Sequence, residues 1–103
     1  MKKRTIMQVI QMLKACGFED VEYCDSLGQF RFHNASDIMD NYVTITYSRH
    51  FRKFSVRIHS IETANITELA EVAKRLEKCM KWVEELNMLL EDTNTANVSQ
   101  LVI

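Results

Sequence analysis

The chain contains no proline and only two glycines in its 103 residues. Gly17 follows an apolar helical pattern and Gly28 stands in a turn, so each glycine has an ordinary structural reason. No glycine remains for a loop that cradles phosphate or for a dinucleotide-binding fingerprint, because both need several glycines close together. Composition therefore argues against both kinds of nucleotide site.

Cysteines and long apolar runs are also scarce. The cysteines are Cys16, Cys24 and Cys79, an odd number, widely spaced and without a CxxC pair, which predicts reduced thiols in a cytoplasmic protein. No run approaches the roughly 20 apolar residues that span a bilayer. Polar residues interrupt the apolar run within residues 1–14, unlike in a secretion signal. We expect a cytoplasmic location and no membrane contact.

Residue groups that support catalysis are sparse as well. Strand alternation can place His33 and His59 on one face with Cys24 nearby, but no recognisable third group orients a Cys–His nucleophile. No cysteine or carboxylate accompanies the two histidines at metal-ligand spacing. We therefore predict a protein that is not an enzyme and that binds no metal and no cofactor.

The formal net charge of −1 argues against a polycation built to bind DNA, but the charge is unevenly distributed. Residues 1–60 hold nine Lys or Arg against six Asp or Glu, whereas residues 61–103 hold four against eight. Residues 1–60 are thus net basic and residues 61–103 net acidic, which predicts a surface whose charge is separated by sign.

Hydrophobic periodicity predicts a helix, four strands and a long second helix. Capping boxes are expected at Thr5 with Gln8 and at Asn65 with Glu68. The predicted ranges are 6–16 for the first helix, 21–25, 29–33, 42–48 and 53–59 for the strands, and 65–91 for the second helix. This order predicts a single α+β domain over residues 1–91, in which both helices cover one face of a four-stranded antiparallel sheet made of two hairpins. Residues 92–103 are expected to form a flexible or loosely docked tail.

Alternation along the strands separates the two faces of the predicted sheet. The face toward the helices is expected to carry Phe30, Phe32, Val43, Ile45, Tyr47, Phe54, Val56 and Ile58. The opposite, polar face is expected to carry Arg31, His33, Tyr42, Thr44, Thr46, Lys53, Ser55, Arg57 and His59.

The second helix has more apolar surface than the predicted sheet can cover. At 1.5 Å per residue it is about 40 Å long, against about 23 Å for a seven-residue strand. One apolar seam has regular spacing: Ile66, Leu69, Ala73, Leu76, Met80, Val83, Asn87 and Leu90. A second stripe is offset from it: Val72, Cys79, Trp82, Leu86 and Leu89. Either the first helix and the tail cover this stripe, or Cys79, Trp82, Leu86 and Leu89 form an interface to a second copy or a docked partner, with Trp82 as its anchor.

The stretch 47–60, YSRHFRKFSVRIHS, concentrates positive charge at a hairpin tip. The tip lacks Gly, Asn and Asp, so a two-residue turn is disfavoured and a wider loop that displays Phe51 is expected. The candidate partner-binding residues are Arg49, His50, Phe51, Arg52, Lys53, Arg57 and Arg31. They suit an acidic protein surface or nucleic-acid phosphates. The alternative is a solvated tip whose charges block edge-to-edge aggregation and whose Phe51 folds back on the core.

These patterns together favour a small non-enzymatic regulator or inhibitor that docks onto a partner macromolecule, most simply a protein with an acidic surface. A phage or mobile-element inhibitor of a host nucleic-acid enzyme fits this description. The alternative is a nucleic-acid-binding domain that uses the hairpin over residues 49–53 and the polar sheet face.

Overall fold

A computed structural model describes residues 1–34 and 42–102 of the chain, and the side chains of residues 1–33 and 42–91. The elements in chain order are α1 (Lys3–Ala15), β1 (Phe18–Cys24), β2 (Gln29–Asn34), β3 (Val43–Ser48), β4 (Lys53–Ile58), a 3₁₀ turn (Ile61–Thr63) and α2 (Ile66–Val102). The predicted α+β class is confirmed: a helix, two antiparallel hairpins and a long C-terminal helix.

The four strands form two separate two-stranded sheets, β1–β2 and β3–β4, instead of the single four-stranded sheet that the sequence predicts. Aromatic rings join the hairpins, since the centroid of Phe30 on β2 lies 5.1 Å from that of Tyr47 and 5.6 Å from that of Phe54. The register of β1 shifts between Glu19 and Glu22. This bulge increases the twist of the first hairpin, which works against a continuous ladder from β2 to β3.

The core lies between the helices and the hairpins. α1 packs against β1 and α2, while α2 packs against both strands of the second hairpin. The buried apolar residues are Val9, Leu13, Phe18, Phe30, Tyr42, Val43, Ile45, Phe54, Val72, Cys79 and Leu86. Burial at these positions supplies the main free energy of folding, at roughly 25 cal/mol for each Å² of apolar surface removed from water.

Two residues depart from the predicted alternation of the faces. Tyr42, expected on the polar face, is buried and donates a 2.8 Å hydrogen bond to Oε2 of Glu68. It precedes β3, so the strand alternation does not govern its direction. Ile58, expected in the core, is exposed and stands at the last position of β4.

The two predicted capping boxes have different outcomes. Asn65 Oδ1 accepts from the N–H of Glu68 at 2.8 Å, and Glu68 Oε1 accepts from the N–H of Asn65 at 3.2 Å, which confirms the box that begins α2. The box at Thr5 is wrong, because α1 begins at Lys3 and buries Thr5 inside the helix. Gly17 has φ 98° and follows α1, as expected of a helix stop.

α2 continues to Val102, beyond the end predicted near Glu91. The predicted tail over residues 92–103 lies outside the residues whose side chains are described. Whether these side chains dock on the domain stays a prediction.

Asn87 breaks the regular apolar seam of α2, and the structure gives the reason. Its Oδ1 accepts from the N–H of Phe54 at 2.8 Å, and its Nδ2 donates to the C=O of Phe54 at 2.9 Å. A strand partner would make the same two bonds. The helix therefore closes the outer edge of β4 at Phe54, whose side chain is buried.

Replacing Asn87 by leucine should destabilise the fold although it completes the apolar seam. Both backbone groups of Phe54 lose their partner, at about 1–3 kcal/mol for each group left unsatisfied. We expect the free energy of unfolding, measured by urea denaturation, to fall by about 2–4 kcal/mol. Met88→Leu, at an exposed neighbouring position, is the control and should change it little. A leucine variant as stable as the wild type would contradict this role of Asn87.

Candidate functional site

The basic tip, defined here as residues 49–53, projects from the second hairpin. β3 and β4 pair as far as Ser48 opposite Lys53, so residues 49–52 form the four-residue loop that the sequence predicts. The hydroxyl of Ser48 accepts from the N–H of Phe51 at 3.2 Å, and Arg52 has φ 53°. The loop thus reaches a left-handed conformation without the glycine that usually provides it.

Phe51 is displayed to solvent, with 69% of its surface exposed. Its ring contacts the edge of the His50 ring at 4.8 Å between centroids, and Nζ of Lys53 lies 5.8 Å from the ring centroid. The cation–π geometry and the ring contact hold Phe51 at the tip. The alternative in which Phe51 folds back on the core is therefore wrong.

The cations of the basic tip are not neutralised by neighbouring carboxylates. Among the described residues, ion pairs link Arg31 to Glu22 at 3.9 Å and Lys74 to Glu71 at 3.7 Å, and neither pair involves the tip. Arg49, Arg52 and Lys53 are all exposed. Their charge is available to an external anionic group.

The basic tip lies beside the N-terminus and the middle of α2. Met1, Phe51, Arg52, Leu90 and Glu91 line a common cleft of about 590 Å³. The exposed cations Lys2, Lys3 and Arg4 follow Met1 directly in the chain. We call the basic tip together with residues 1–4 the basic pole. The sequence gives each basic cluster separately, but their proximity depends on how the hairpin and α1 pack on α2.

The two remaining predicted arginines lie away from the tip. Arg57 stands opposite Thr44. This pair is four positions along the hairpin from the pair of Ser48 and Lys53, a distance of about 13 Å. Arg31 is on the other hairpin and is paired with Glu22. The structure therefore groups residues 49–53 and places Arg57 and Arg31 apart from them, with Arg31 paired to Glu22.

The stripe of α2 expected to form an interface belongs largely to the core of this chain. Cys79 and Leu86 have no exposed surface, and Trp82 and Leu89 are partly buried. The Trp82 ring lies edge-on to Phe18 at 6.1 Å. Cys79 and Leu86 are therefore core residues and not available to a partner, because α1 and the second hairpin pack on α2. Whether Trp82 and Leu89 contact a second copy or a partner stays a prediction.

Several exposed apolar residues of α2 lie instead on the regularly spaced seam. Ile66 is 87% exposed and Met80 is 57% exposed, and Leu69 is also exposed. Leu76, Val83 and Leu90 of the same seam are partly buried. The sequence shows two apolar stripes but does not show which one faces inward.

The thiol and imidazole groups considered for nucleophilic chemistry are not brought together as a pair. In the β1–β2 register Cys24 pairs with Gln29, whereas His33 pairs with Glu19 at the other end of the hairpin. His59 follows β4 on the second hairpin, and its Nε2 is buried without a hydrogen-bond partner among the described residues. Cys24 instead has a local partner, because its Sγ lies 3.5 Å from Oγ of Ser26.

The described part of the chain contains no group of three or more His, Cys, Asp or Glu arranged to hold a metal ion. No helix within it combines the length and apolar character needed to cross a membrane. Comparison with protein-family models, curated proteins and solved structures finds no match.

The three cysteine thiols, none of them in a disulfide, should differ in reactivity. Hydrogen bonds from Ser26 and from the N–H of Leu27 lower the pKa of Cys24, whereas burial raises the pKa of Cys16. Cys79 is fully buried. Because the thiolate is the nucleophile, iodoacetamide near neutral pH should alkylate Cys24 first, as followed by peptide mass spectrometry.

Ser26→Ala should move the pH midpoint of Cys24 alkylation upward, since the lost hydrogen bond favours the thiolate. Ser55→Ala, on the other hairpin, is the matched control and should leave the midpoint unchanged. Faster alkylation of Cys16 than of Cys24 in the folded chain would contradict the prediction.

Proposed function

We propose that the protein acts without catalysis, by docking its basic pole onto an acidic surface of a partner protein, as a small regulator or inhibitor does. The observation that carries the proposal is Phe51: a large aromatic ring, 69% exposed, with Nζ of Lys53 5.8 Å from its centroid, in a loop whose cations have no ion-pair partner among the described residues. Exposed aromatic rings beside arginine are typical of the residues that contribute most to protein interfaces.

The physical roles of the ring and the cations differ. Burying Phe51 in an apolar pocket of a partner would remove its ring from water and supply affinity. Arg49, Arg52 and Lys53 would steer the encounter with a negative surface and fix its orientation. The cations at residues 2–4 extend the same field around the cleft at Met1.

The backbone of Arg52 supports this proposal independently. A residue with a side chain in the left-handed region costs about 1–2 kcal/mol that glycine avoids, and Arg52 has φ 53°. A cation at this position therefore lowers stability while adding positive charge beside Phe51. That combination fits a residue retained for binding.

Direct binding of nucleic acid is the second candidate, and the same tip favours it. A base can stack on the exposed Phe51 ring while Arg49 and Arg52 contact phosphates. Binding of that kind is insensitive to base sequence and weakens steeply with salt, because phosphate contacts release counterions. Glu91, which lines the cleft at Met1, would repel phosphates as well as the carboxylates of an acidic protein, so it does not separate the two candidates.

The tip can be tested with a variant that does not impair folding. Arg52→Gly removes one cation and relieves the left-handed strain, so the free energy of unfolding should stay the same or rise by up to about 1 kcal/mol. Capture of the partner from a lysate of the source cells, quantified by mass spectrometry, should nevertheless decrease. Equal capture by the wild type and Arg52→Gly would contradict a role for this cation.

Charge reversal of the whole tip, Arg49/Arg52/Lys53→Glu, should abolish capture, whereas Lys14/Lys74/Lys81→Glu makes the same charge change on the two helices and should not. Phe51→Ala should also abolish capture, with the exposed Ile66→Ala as its control. Retention of oligonucleotides of unrelated sequence, lost steeply with added salt, would instead support the second candidate. Equal capture by all these variants would contradict docking through the basic pole.

A further inference from the structure

The two edges of the second hairpin are unlike each other. In an antiparallel pair, a residue directs both its N–H and its C=O either to the partner strand or away from it, in alternation. Asn87 binds both groups of Phe54, so Phe54 and its partner Tyr47 form a pair whose groups point away from each other. The N–H of His59 donates to the C=O of Tyr42 at 2.9 Å, which agrees with this alternation.

Val43, Ile45 and Tyr47 therefore direct their N–H and C=O groups away from β4, on the side where β2 lies. In the described part of the chain, β3 has a backbone ladder with β4 alone, and no further hydrogen bond satisfies these outward groups. α2 closes the outer edge of β4 through Asn87. The outer edge of β3 has no equivalent cap within the described residues.

A cleft of about 720 Å³ opens along this edge, between residues 29–33 of β2 and residues 45–47 of β3, and extends over residues 20–22 of β1. Strand residues rise about 3.4 Å each, strands lie about 4.8 Å apart and sheets about 10 Å apart, so one strand residue fills roughly 160 Å³. The cleft thus has room for four or five residues of extended chain. On β3 the cleft is lined by residues 45–47, whereas Val43 is fully buried, so a peptide would reach the edge at Ile45 and Tyr47.

We propose that this cleft binds a short extended peptide of a partner protein, which adds to β3 as a further strand. The proposal concerns a different surface from the basic pole and does not depend on it. Ile45 and Tyr47 are two residues apart, and an extended peptide offers backbone N–H and C=O groups at the same two-residue spacing, so it can pair with both. Arg31, His33 and Thr46 line the cleft and would contact its side chains.

A second copy of the folded chain is a poorer occupant, because its own β3 edge is recessed between the same two hairpins. Two recessed edges cannot approach to the roughly 4.8 Å separation of paired strands. A single peptide in extended form meets no such obstruction.

Amide hydrogen exchange in the free, full-length chain is the first test. The amides of Ile45 and Tyr47 should exchange faster than those of Thr44, Thr46 and Ser48, which point toward β4. Equal protection of both sets in the monomer would show that the edge is already closed and would overturn the proposal. Protection of the first set only in a dimer, detected by light scattering, would identify a second copy as the occupant and also overturn it.

The second test uses randomised peptides displayed on phage and selected on the full-length chain, with the strongest binder then synthesised. We expect this peptide to slow exchange at Ile45 and Tyr47. N-methylation of alternate residues on the strand-pairing side of the peptide should abolish binding, while N-methylation of the intervening residues should not. Failure to select any binder, or protection confined to other amides, would overturn the proposal.

Thr46→Lys places a charge inside the cleft and should weaken the selected peptide at least tenfold. Ser55→Lys is the matched control: Ser55 is the cross-strand partner of Thr46, 3.3 Å away between hydroxyl oxygens, and does not line the cleft. Thermal unfolding of both variants establishes that they fold. Equal affinity for the two folded variants would contradict binding in the cleft, whereas loss of peptide binding in Arg49/Arg52/Lys53→Glu alone would assign the peptide to the basic pole.

Discussion

The packing of α2 against the two hairpins is the constraint on which the rest of the molecule depends. A two-stranded sheet is marginal by itself in water, and here two of them are joined without a backbone ladder in the described residues. Val72, Cys79 and Leu86, one heptad apart on α2, are buried in the core that includes Phe30 of the first hairpin and Phe54 of the second. Without α2 the second hairpin would lose the helix that packs against both of its strands, and the core would lose Val72, Cys79 and Leu86.

The same packing determines which backbone groups are satisfied. The seam of α2 that contains Asn87 is mostly apolar. At Asn87 the helix meets the edge of β4, where the backbone groups of Phe54 need hydrogen-bond partners. An apolar side chain there would bury the N–H and C=O of Phe54 without partners, which costs more than the added apolar contact returns. The helix thus protects one edge of the hairpin, and the other edge remains beside the cleft between the hairpins.

The basic pole is a second consequence of this arrangement. The hairpin is anchored by Phe54, directly after the loop, so residues 49–52 extend beyond the point of contact with α2. Phe51 is left 69% exposed, and the cations of the loop find no carboxylate within ion-pair distance in the described chain. α2 supplies Leu90 and Glu91 beside the loop, and the N-terminal residue Met1 completes the surface.

Much of the local structure was predictable because its causes are local. The cap at Asn65, the stop at Gly17 and the alternation of Phe30 with Arg31 each depend on residues a few positions apart, and all three are present. The wide loop at residues 49–52 follows from the absence of Gly, Asn and Asp, which is also a local property. Prediction failed where a residue's surroundings come from distant segments: Tyr42 is buried because Glu68 accepts its hydroxyl, and Glu68 is 26 positions away.

The sequence by itself determined the elements, their order and the charge at the hairpin tip, since periodicity, capping and turn chemistry act over a few residues. Only the tertiary structure decided which apolar stripe of α2 faces inward, because both stripes have helical spacing and the choice depends on where α1 and the hairpins lie. It buried Cys79 and Leu86 and exposed Ile66 and Met80. It also placed Asn87 against β4 and left β3 paired with β4 alone among the described residues, since both depend on how distant parts of the chain meet.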